Sequence, residues 1–368
     1  MRHYDAIVVG AGPAGSTTAY RLARAGARVC LIDRARFPRD KPCGGGLTLR
    51  AVKELPFSVA PVVEDTVDRL ELGLGYRRRF TRRSAEPLVL MTQRRRLDAF
   101  LVERAVEAGA EFRDGAKVTG VTTDGCVSLG DELLEAEAVV GADGANGVAA
   151  RAVGISTPVH GVALEGNVGH EHVTVDRYRG RAVVEIGVVP GGYAWVFPKG
   201  DHVNVGVGGW DTAGPELRAY LRELCAGYGI DEQQVHELRG HRLPMRGGAR
   251  APVAGRVALV GDAAGLVDPL SGDGMYEAFL SGRLAAEAIL SRDLAAYGAA
   301  YSDAFAASEA LSWRAKRAFD RFPRTAFWLA RSPLSWRVFQ RVVRGEQTAS
   351  QARGLAATPL RVLRALGA

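Results

Sequence analysis

Apolar runs and helical spacing alternate in the first 33 residues. Residues 5–10 are almost entirely apolar and predict a strand, residues 16–26 carry apolar positions at helical spacing, and residues 27–33 predict a second strand. This order is the smallest unit of a parallel sheet covered by helices. The strands are apolar on both faces, as expected for burial on both sides. The same buried pattern returns at residues 255–265, before a predicted helix at 274–290.

The middle of the chain has a different pattern. Residues 155–243 alternate apolar and polar positions, which predicts antiparallel sheet with one exposed face. Residues 56–92 alternate in the same way and predict an inserted antiparallel piece, followed by a helix at 94–109. We therefore predict an α/β fold with a Rossmann-type nucleotide-binding domain, interleaved with an antiparallel-sheet substrate domain and followed by a C-terminal helical region. The predicted boundaries are 1–70, 94–153 and 245–300 for the first, 71–93 and 154–244 for the second, and 301–368 for the third.

Composition narrows the class of protein. The 368 residues are 47% hydrophobic and 24% charged, with a net charge of +7, which is ordinary for a globular protein of this size. Four cysteines lie far apart without a CxxC pair, so we expect no metal site, no disulfide framework and a cytoplasmic location. The chain begins in a predicted strand, so no signal peptide is expected, and no apolar run approaches the ~18 residues of a spanning helix. No nucleic-acid-binding module is present, so nucleic acid is not an expected partner.

Two glycine-rich turns carry the nucleotide chemistry. Gly10, Gly12 and Gly15 follow a strand and open a helix, where they permit a tight turn, close approach of a pyrophosphate and close helix packing. Asp33 ends the next strand and is placed to accept a hydrogen bond from a ribose hydroxyl. The second turn, residues 261–279, also ends a strand and opens a helix, and Asp262 is a candidate for the ribityl chain of a flavin.

These motifs identify a resemblance to the FAD-dependent family with the para-hydroxybenzoate hydroxylase fold. Within it the chain most resembles the geranylgeranyl reductase branch, through the stretches FPRDKPCGGGL at 37–47 and YAWVFP at 193–198. The resemblance implies FAD as the cofactor. The residues that it predicts to bind FAD are Gly10, Gly12, Pro13, Ala14, Gly15, Asp33, Arg34, Cys43, Gly44, Gly45, Arg94, Val118, Asp143, Gly144, Gly261, Asp262, Pro269, Gly272, Gly274 and Met275.

Cys43 is the predicted catalytic residue. In the branch that the chain resembles, this cysteine lies beside the flavin and is implicated in catalysis. Glycines 44–46 would let the backbone pass close to the flavin ring, and the thiol could donate a proton, or tune a donor, for alkene reduction. The alternative is that Cys43 only fills space.

The stretch YAWVFP supplies the predicted substrate residues Tyr193, Trp195, Phe197 and Pro198. Alternation places the three aromatic rings on one strand face. The resemblance implies that this wall lines a tunnel for a prenyl chain, while a packed sheet core is the alternative. The arginines at 77–83 are a candidate site for a substrate diphosphate.

The chain departs from the wider family at two places. The loop after Asp143 usually continues through a serine to an arginine, but here Gly147 and Ala150 occupy those positions and Arg151 follows one place later. Asp33 stands where glutamate is more frequent, and it should still bind ribose.

The tail predicts basic amphipathic helices. Apolar residues at 334, 338 and 342 share one face, arginines at 337, 341 and 344 follow helical spacing on another, and tryptophans lie at 328 and 336. Such a helix favours docking on an anionic membrane surface, so the protein would be peripheral at the inner face of the membrane. The alternative is a helix packed on its own protein with a solvated arginine face.

We therefore predict an FAD-dependent reductase that saturates carbon–carbon double bonds of a polyprenyl substrate, such as geranylgeranyl diphosphate, a prenylated quinone or a prenyl lipid. The electron donor is NAD(P)H or a ferredoxin-type partner protein, which the sequence leaves open. The main alternative is a flavin monooxygenase or halogenase that acts on an aromatic natural product. A non-catalytic flavin carrier is the third possibility, and it would need no deep apolar cavity.

Overall fold

The computed structural model describes residues 2–154, 160–247, 252–351 and 358–367. The predicted domain segments 154–244, 245–300 and 301–368 therefore include short stretches, 155–159, 248–251 and 352–357, that lie outside the described residues.

The elements follow the predicted order. The strands are β1 (Arg2–Val9), β2 (Val29–Ile32), β3 (Gly46–Thr48), β4 (Asp65–Val67), β5 (Arg69–Leu74), β6 (Arg78–Arg83), β7 (Val89–Met91), β8 (Glu111–Arg113), β9 (Gly120–Val121), β10 (Cys126–Leu129), β11 (Glu132–Gly141), β12 (His160–Gly169), β13 (Arg181–Ile186), β14 (Tyr193–Pro198), β15 (His202–Trp210), β16 (His236–Pro244), β17 (Val253–Ala254) and β18 (Val257–Leu259). The helices are α1 (Pro13–Arg24), α2 (Leu49–Val52), α3 (Arg94–Glu107), α4 (Ala149–Ala152), α5 (Val175–Tyr178), α6 (Leu217–Tyr228), α7 (Met275–Leu290), α8 (Leu294–Arg321), α9 (Pro323–Ala330), α10 (Pro333–Val343) and α11 (Thr358–Leu366).

The first sheet has the order β17-β18-β11-β1-β2-β8. Strands β18, β11, β1, β2 and β8 are parallel, with Val8 of β1 paired to Val140 on one side and Leu31 on the other. These residues are fully buried, as the unbroken apolar pattern predicts. Helix α1 covers one face of the sheet together with α3 and α7. The short strands β9 and β10 extend the sheet from β11 in the antiparallel sense.

The second sheet has the order β16-β12-β15-β14-β13-β5-β6. Most neighbours are antiparallel, which confirms the antiparallel pairing predicted from the alternation for the described residues from 160 onwards. One prediction fails, because β5 pairs with β13 in parallel, with Leu70 opposite Ala182. Periodicity fixes which face a side chain takes but carries no information on strand direction. Helix α6 covers one face of this sheet and packs Leu221 and Leu224 against its valines.

A third, small sheet has the order β3-β7-β4. It ties the segment after Cys43 to the chain that enters α3, because Gly46 of β3 pairs with Met91 of β7. The assignment of 71–93 to one domain with 154–244 stays a prediction. Strands β5 and β6 lie in the second sheet with the strands of 160–244, but β7 lies in the third sheet.

The C-terminal helices pack on the rest of the molecule. Helix α8 contacts α7 and α11, and α10 contacts α2 and α9. On α10, Val338 is buried and Leu334 and Val342 are half-buried, so the apolar face packs against the protein itself. Within the described ranges, none of the helices is long and apolar enough to cross a bilayer.

Candidate functional site

A cavity of about 750 Å³ lies where the carboxyl ends of the parallel strands face the second sheet. Its walls come from the ends of β1, β2, β11 and β18 on one side and from β12, β14, β15 and β16 on the other. Clefts at the carboxyl ends of parallel strands are the usual ligand sites of such sheets.

Most of the residues predicted from the sequence line this cavity. Twenty do so: Gly10, Gly12, Pro13, Ala14, Asp33, Arg34, Cys43, Gly44, Arg94, Val118, Asp143, Gly144, Asp262, Pro269, Gly272, Gly274, Met275, Tyr193, Trp195 and Phe197. The other four, Gly15, Gly45, Gly261 and Pro198, lie next to lining residues but are not part of the wall.

The three positions of the first turn are glycine for different structural reasons. A side chain at Gly10 would lie 2.3 Å from the carbonyl oxygen of Ala142, and one at Gly15 would lie 1.8 Å from that of Gly10, so both positions exclude any Cβ. Gly12 is different, because a Cβ there would meet only the guanidinium groups of Arg39 and Arg94, at 3.6 and 4.0 Å. Gly12 therefore leaves a space in front of the N-terminus of α1 that is bordered by two cations, which fits a pyrophosphate.

Asp98 holds these two cations in place. Arg94 makes two hydrogen bonds of 2.7 Å to the Asp98 carboxylate, and Arg39 forms an ion pair with the same carboxylate at 2.7 Å. Asp98 and Arg94 are buried on α3. The sequence predicted Arg94 but not Arg39, which lies four residues before Cys43 and shares its loop.

Asp33 is bound to the backbone of the turn, while its predicted contact with a ribose stays a prediction. Its carboxylate accepts hydrogen bonds from the backbone N–H of Ala11 and of Ala35, both at 2.8 Å. The side chain is thereby fixed at the end of β2, with the cavity in front of it. Because an aspartate makes these contacts, the replacement of the more frequent glutamate leaves the turn intact.

The loop after β11 is built around Asp143. Its Oδ2 accepts hydrogen bonds from the backbone N–H of Val148 and Ala149, while Oδ1 is buried and has no hydrogen-bond partner among the described residues. Burial raises the pKa of this carboxyl. A Cβ at Gly147 would lie 2.0 Å from Oδ1, which explains the glycine at this departure from the family pattern. Arg151 lines the cavity, so an arginine still serves this loop.

Asp262 forms an ion pair across the cavity. Lys41 Nζ lies 2.9 Å from Asp262 Oδ2, and His241 Nε2 lies 3.8 Å from the same oxygen. Burial alone would raise the pKa of Asp262, but Lys41 and His241 more than offset it and hold the pKa below its usual range. Asp262 therefore stands ionised beside the N-terminal end of α7, whose first residue, Met275, also lines the cavity.

Two side chains of the second sheet hold the Cys43 loop. Glu165 Oε1 of β12 accepts a hydrogen bond of 2.8 Å from the backbone N–H of Cys43. Lys199, at the end of β14, donates hydrogen bonds of 2.6 Å to the carbonyl of Gly44 and 2.8 Å to that of Thr92. Burial lowers the pKa of Lys199 to about 8. The loop is therefore fixed by contacts that cross from one sheet to the other.

Protein neighbours already account for the glycines that follow Cys43. A Cβ at Gly44 would lie 2.9 Å from the ring of Phe197, and one at Gly45, whose φ is +66°, would lie 2.0 Å from the carbonyl oxygen of Thr92. Gly46 lies in β3 beside Val89. Close approach to the aromatic wall and to Thr92 therefore accounts for Gly44 and Gly45, whereas the sequence interpretation relied on a flavin ring alone.

The predicted aromatic wall is present on β14. The rings of Tyr193 and Trp195 lie 5.9 Å apart and those of Trp195 and Phe197 6.1 Å apart, on one strand face. Trp195 Nε1 donates a hydrogen bond of 2.8 Å to Asn204 on β15. A Cβ at Gly206 would lie 2.1 Å from the indole, so the glycine makes room for the ring. The Cys43 loop packs directly on this wall, at Gly44 and Phe197, and both line the cavity.

Several lining residues escaped the sequence interpretation. Lys41 adjoins the cysteine motif, which is a usable signal, but Glu165, His241 and Lys316 have no local pattern around them. The arginine cluster 77–83 was a wrong candidate, because none of these residues, all described, lines the cavity. Arg83 pairs with Asp68, and Arg79 hydrogen-bonds the carbonyl of Gly227.

The donor set fits FAD. The space in front of Gly12 with its two cations, the Asp33 carboxylate and the loop of Asp143 match the phosphate and sugar parts of a dinucleotide, and the apolar half of the cavity leaves room for a ring system.

Comparison with known proteins agrees with this geometry. Residues 3–279 match the family described as FAD binding domain. The chain is 35% identical over 324 residues to a menaquinone reductase of Mycolicibacterium smegmatis, covering 81% of this chain and 79% of that protein. It is 35% identical over 305 residues to a geranylgeranyl diphosphate reductase of Rhodobacter capsulatus, covering 78% and 75%.

Solved structures include the same fold. A geranylgeranyl bacteriochlorophyll reductase-like protein of Thermoplasma acidophilum superposes with a TM-score of 0.78, at 24% identity, over 100% of both chains. The protein is an FAD-dependent oxidoreductase. It belongs to the FAD binding domain family and, within that family, to the group that contains the geranylgeranyl and menaquinone reductases.

Proposed function

We propose that this protein reduces carbon–carbon double bonds of a polyprenyl chain, carried by a diphosphate, a quinone or a lipid. The observation that supports this most is that Cys43 and an aromatic wall line the same cavity as the residues that fit a dinucleotide. The names of the related proteins from Mycolicibacterium and Rhodobacter point to the same kind of substrate.

In this proposal the cofactor is held by residues at the ends of the parallel strands. Gly12, Arg39 and Arg94 border the pyrophosphate, Asp33 binds ribose, and Asp262 and the N-terminus of α7 serve the flavin end. When bound and reduced, FAD supplies a hydride. NAD(P)H or a reduced ferredoxin-type protein supplies the electrons.

The protein's own part is to bind the chain and to provide a proton. Tyr193, Trp195 and Phe197 give a flat apolar surface for isoprene units and exclude water. Cys43 is the proposed catalytic residue, either as the proton donor or as the neighbour that tunes the donor, because alkene reduction needs a proton at the second carbon.

The test is anaerobic. The bound flavin is reduced with dithionite, geranylgeranyl and menaquinone-type substrates are added, and the products are weighed by mass spectrometry. A gain of about two daltons per reduced bond supports the proposal, since one hydride and one proton are added. No gain without oxygen, with a gain of about sixteen daltons on an aromatic compound with NADPH and oxygen, would establish the monooxygenase instead.

We also propose that the C-terminal helices contact an anionic membrane surface at the inner face of the membrane. Phe339 is exposed on α10 beside the exposed Arg337 and Arg341, and Trp328 of α9 is 50% exposed. A lipid-borne substrate needs such access, and basic residues with aromatic rings favour anionic headgroups.

Sedimentation with vesicles that contain anionic lipid tests this surface. Arg341→Glu should weaken binding roughly fivefold or more, since one cation near such a surface contributes about 1 kcal/mol. Arg218→Glu, an exposed arginine of α6, is the matched control and should bind like the wild type. Equal binding of both variants would contradict the proposed surface.

A further inference from the structure

Lys316 is a buried cation in the cavity wall that the proposed function does not use. It comes from α8, its side chain is only 5% exposed, and it lines the cavity together with Gly191, Gly192, Gly208 and Met245. Charged side chains are almost never this deeply buried unless a partner holds them. The neighbours of Lys316 therefore show why a cation stands beside these apolar residues.

Three contacts fix the Lys316 amine. Its Nζ donates hydrogen bonds to the carbonyl of Gly191 and, at 2.8 Å, to Oδ1 of Asp320, which lies one turn further along α8. It also lies 4.7 Å from the ring centre of Trp210, at the end of β15. Trp210 stacks on Trp313 of α8, with ring centroids 6.1 Å apart and planes at 5°. The amine is therefore held by an ion pair, a carbonyl and a stacked pair of indoles.

The cavity continues from the aromatic wall towards this lysine. Tyr193 pairs with Gly208 of β15, which pairs with Ala163 of β12, and all three line the cavity. Paired residues share a face of the sheet, so the floor beyond Tyr193 is made of a glycine and an alanine. A Cβ at Gly208 would have its three nearest atoms in Ala163 and Val162 of the same sheet, so no other element packs tightly over it. This stretch of the cavity therefore has an apolar floor with room for a chain.

Lys316 and the indoles behind it close this stretch of the cavity. A Cβ at Gly191 would lie 2.0 Å from the indole of Trp210, so the turn before β14 meets the tryptophan without a gap. On the far side of the lysine, the side chain of Asp320 is 25% exposed and Trp313 is half-buried. The Lys316 side chain thus stands between the end of the cavity and the solvent.

We propose that Lys316 is a specificity-determining residue that ends the space for the prenyl chain and so limits the chain length that the cavity accepts. This inference rests on the proposed function. A chain whose reacting bond lies at the Cys43 loop, which packs on Phe197, follows the wall past Tyr193 towards the lysine. Each apolar unit gains free energy by leaving water, but a unit beyond Lys316 would have to displace an amine that is fixed by Asp320.

Binding to the oxidised holoenzyme tests this limit without any turnover. Geraniol, farnesol, geranylgeraniol and longer prenyl alcohols are titrated in, and the visible absorbance of the flavin reports occupancy. In the wild type, affinity should rise with chain length and stop rising at one length. Lys316→Ala should bind the next longer alcohol at least about tenfold more tightly than the wild type, because the added unit then finds apolar space. Lys316→Met fills a similar length and should keep the wild-type limit.

Two further variants make the result specific. Ala163→Leu leaves Lys316 intact but fills the floor beyond Tyr193, so the limit should move to a shorter alcohol, and an unchanged limit would overturn the proposal. Arg314→Ala removes an exposed cation from the same helix and is the matched control. An equal loss of affinity for every alcohol in Lys316→Ala and Lys316→Met would also overturn the proposal, since the amine would then bind the polar end of the substrate.

Turnover separates this inference from the proposed function. In the anaerobic assay, Lys316→Ala should lower the KM for the longer substrate about tenfold and leave kcat for the shorter ones near the wild-type value. A wild-type protein that reduces no prenyl substrate overturns the proposed function, whereas the length limit is still read from binding. An active wild type whose length profile is unchanged in Lys316→Ala overturns only the role of Lys316.

Discussion

The two ends of the cavity are built in different ways. At the dinucleotide end, most contacts of the turn at Gly10–Gly15 lie within one βαβ unit, such as the Asp33 hydrogen bond to Ala11, although Gly10 also packs against Ala142 after β11. At the other end, the Cys43 loop is held by Glu165 and Lys199, which lie more than a hundred residues further along the chain. One end is a local motif and the other is an assembly of three sheets.

This difference separates two kinds of constraint. In the first turn, Gly10 and Gly15 each pack against a backbone carbonyl, and Gly12 leaves the space for the ligand, so the role of each glycine can be stated separately. Gly44 and Gly45 instead pack against Phe197 and Thr92, and these contacts exist only once the whole fold has formed. A change at the first end should therefore act on cofactor binding, and a change at the second on the reaction.

The largest effect is expected at the dinucleotide end. Gly12→Val should abolish FAD retention, because the side chain fills the space beside Arg39 and Arg94 without meeting the backbone. The absorbance of the purified protein measures bound flavin. Gly240→Val, at an exposed position of β16, is the matched control and should remain yellow. A fully loaded Gly12→Val protein would contradict the cofactor site.

The second effect is at the loop. Cys43→Ala should keep FAD and lose alkene reduction by about 100-fold, since the thiol donates the proton or tunes its donor. Cys126→Ala, in β10 and outside the cavity wall, should behave like the wild type. Unchanged turnover of Cys43→Ala, measured by product mass, would reduce Cys43 to a residue that fills space.

The smallest effect concerns Lys199, which donates hydrogen bonds to the carbonyls of Gly44 and Thr92. Because burial lowers the pKa of Lys199 to about 8, its charged form opposes folding below that pH, and this cost fades as pH rises towards the ordinary pKa. Between pH 7 and about pH 9.5 the wild type should gain about 2 kcal/mol of unfolding free energy relative to Lys199→Met. Urea denaturation at both pH values measures the difference.

The exposed Lys53→Met is the control for this experiment and should follow the wild type at both pH values. If the difference between Lys199→Met and the wild type does not change with pH, the pKa of Lys199 is not lowered in the folded protein, and a charged amine with its ordinary pKa binds the carbonyls of Gly44 and Thr92.

The same contrast between local and long-range contacts determines how much of the fold and of the site the sequence predicts. Periodicity and glycine spacing predict the βαβ unit, helix α3, the strand before Asp262 and helix α7. The residues that determine each of these elements are neighbours in the sequence. The aromatic wall is also predictable, since alternation alone places Tyr193, Trp195 and Phe197 together.

The remaining residues depend on tertiary contacts. Glu165 lies in an alternating strand like any other, and only the pairing of β12 with β15 brings it to Trp195 and Cys43. Arg39 becomes part of the site only through Asp98 of α3. The arginines at 77–83 have the composition of an anion site, but their strand lies at the edge of the second sheet. Composition alone could not distinguish these cases.

The parallel pairing of β5 with β13 has a consequence for how the chain folds. Parallel neighbours need a crossover, and here residues 75–180, which include strands β8 to β11 of the first sheet, lie between the two strands. The second sheet therefore cannot close on a ribosome before β13 has emerged, by which time β1, β2 and β11 are free to pair. Such distant contacts slow folding, so the dinucleotide half should form first and serve as the template for the rest.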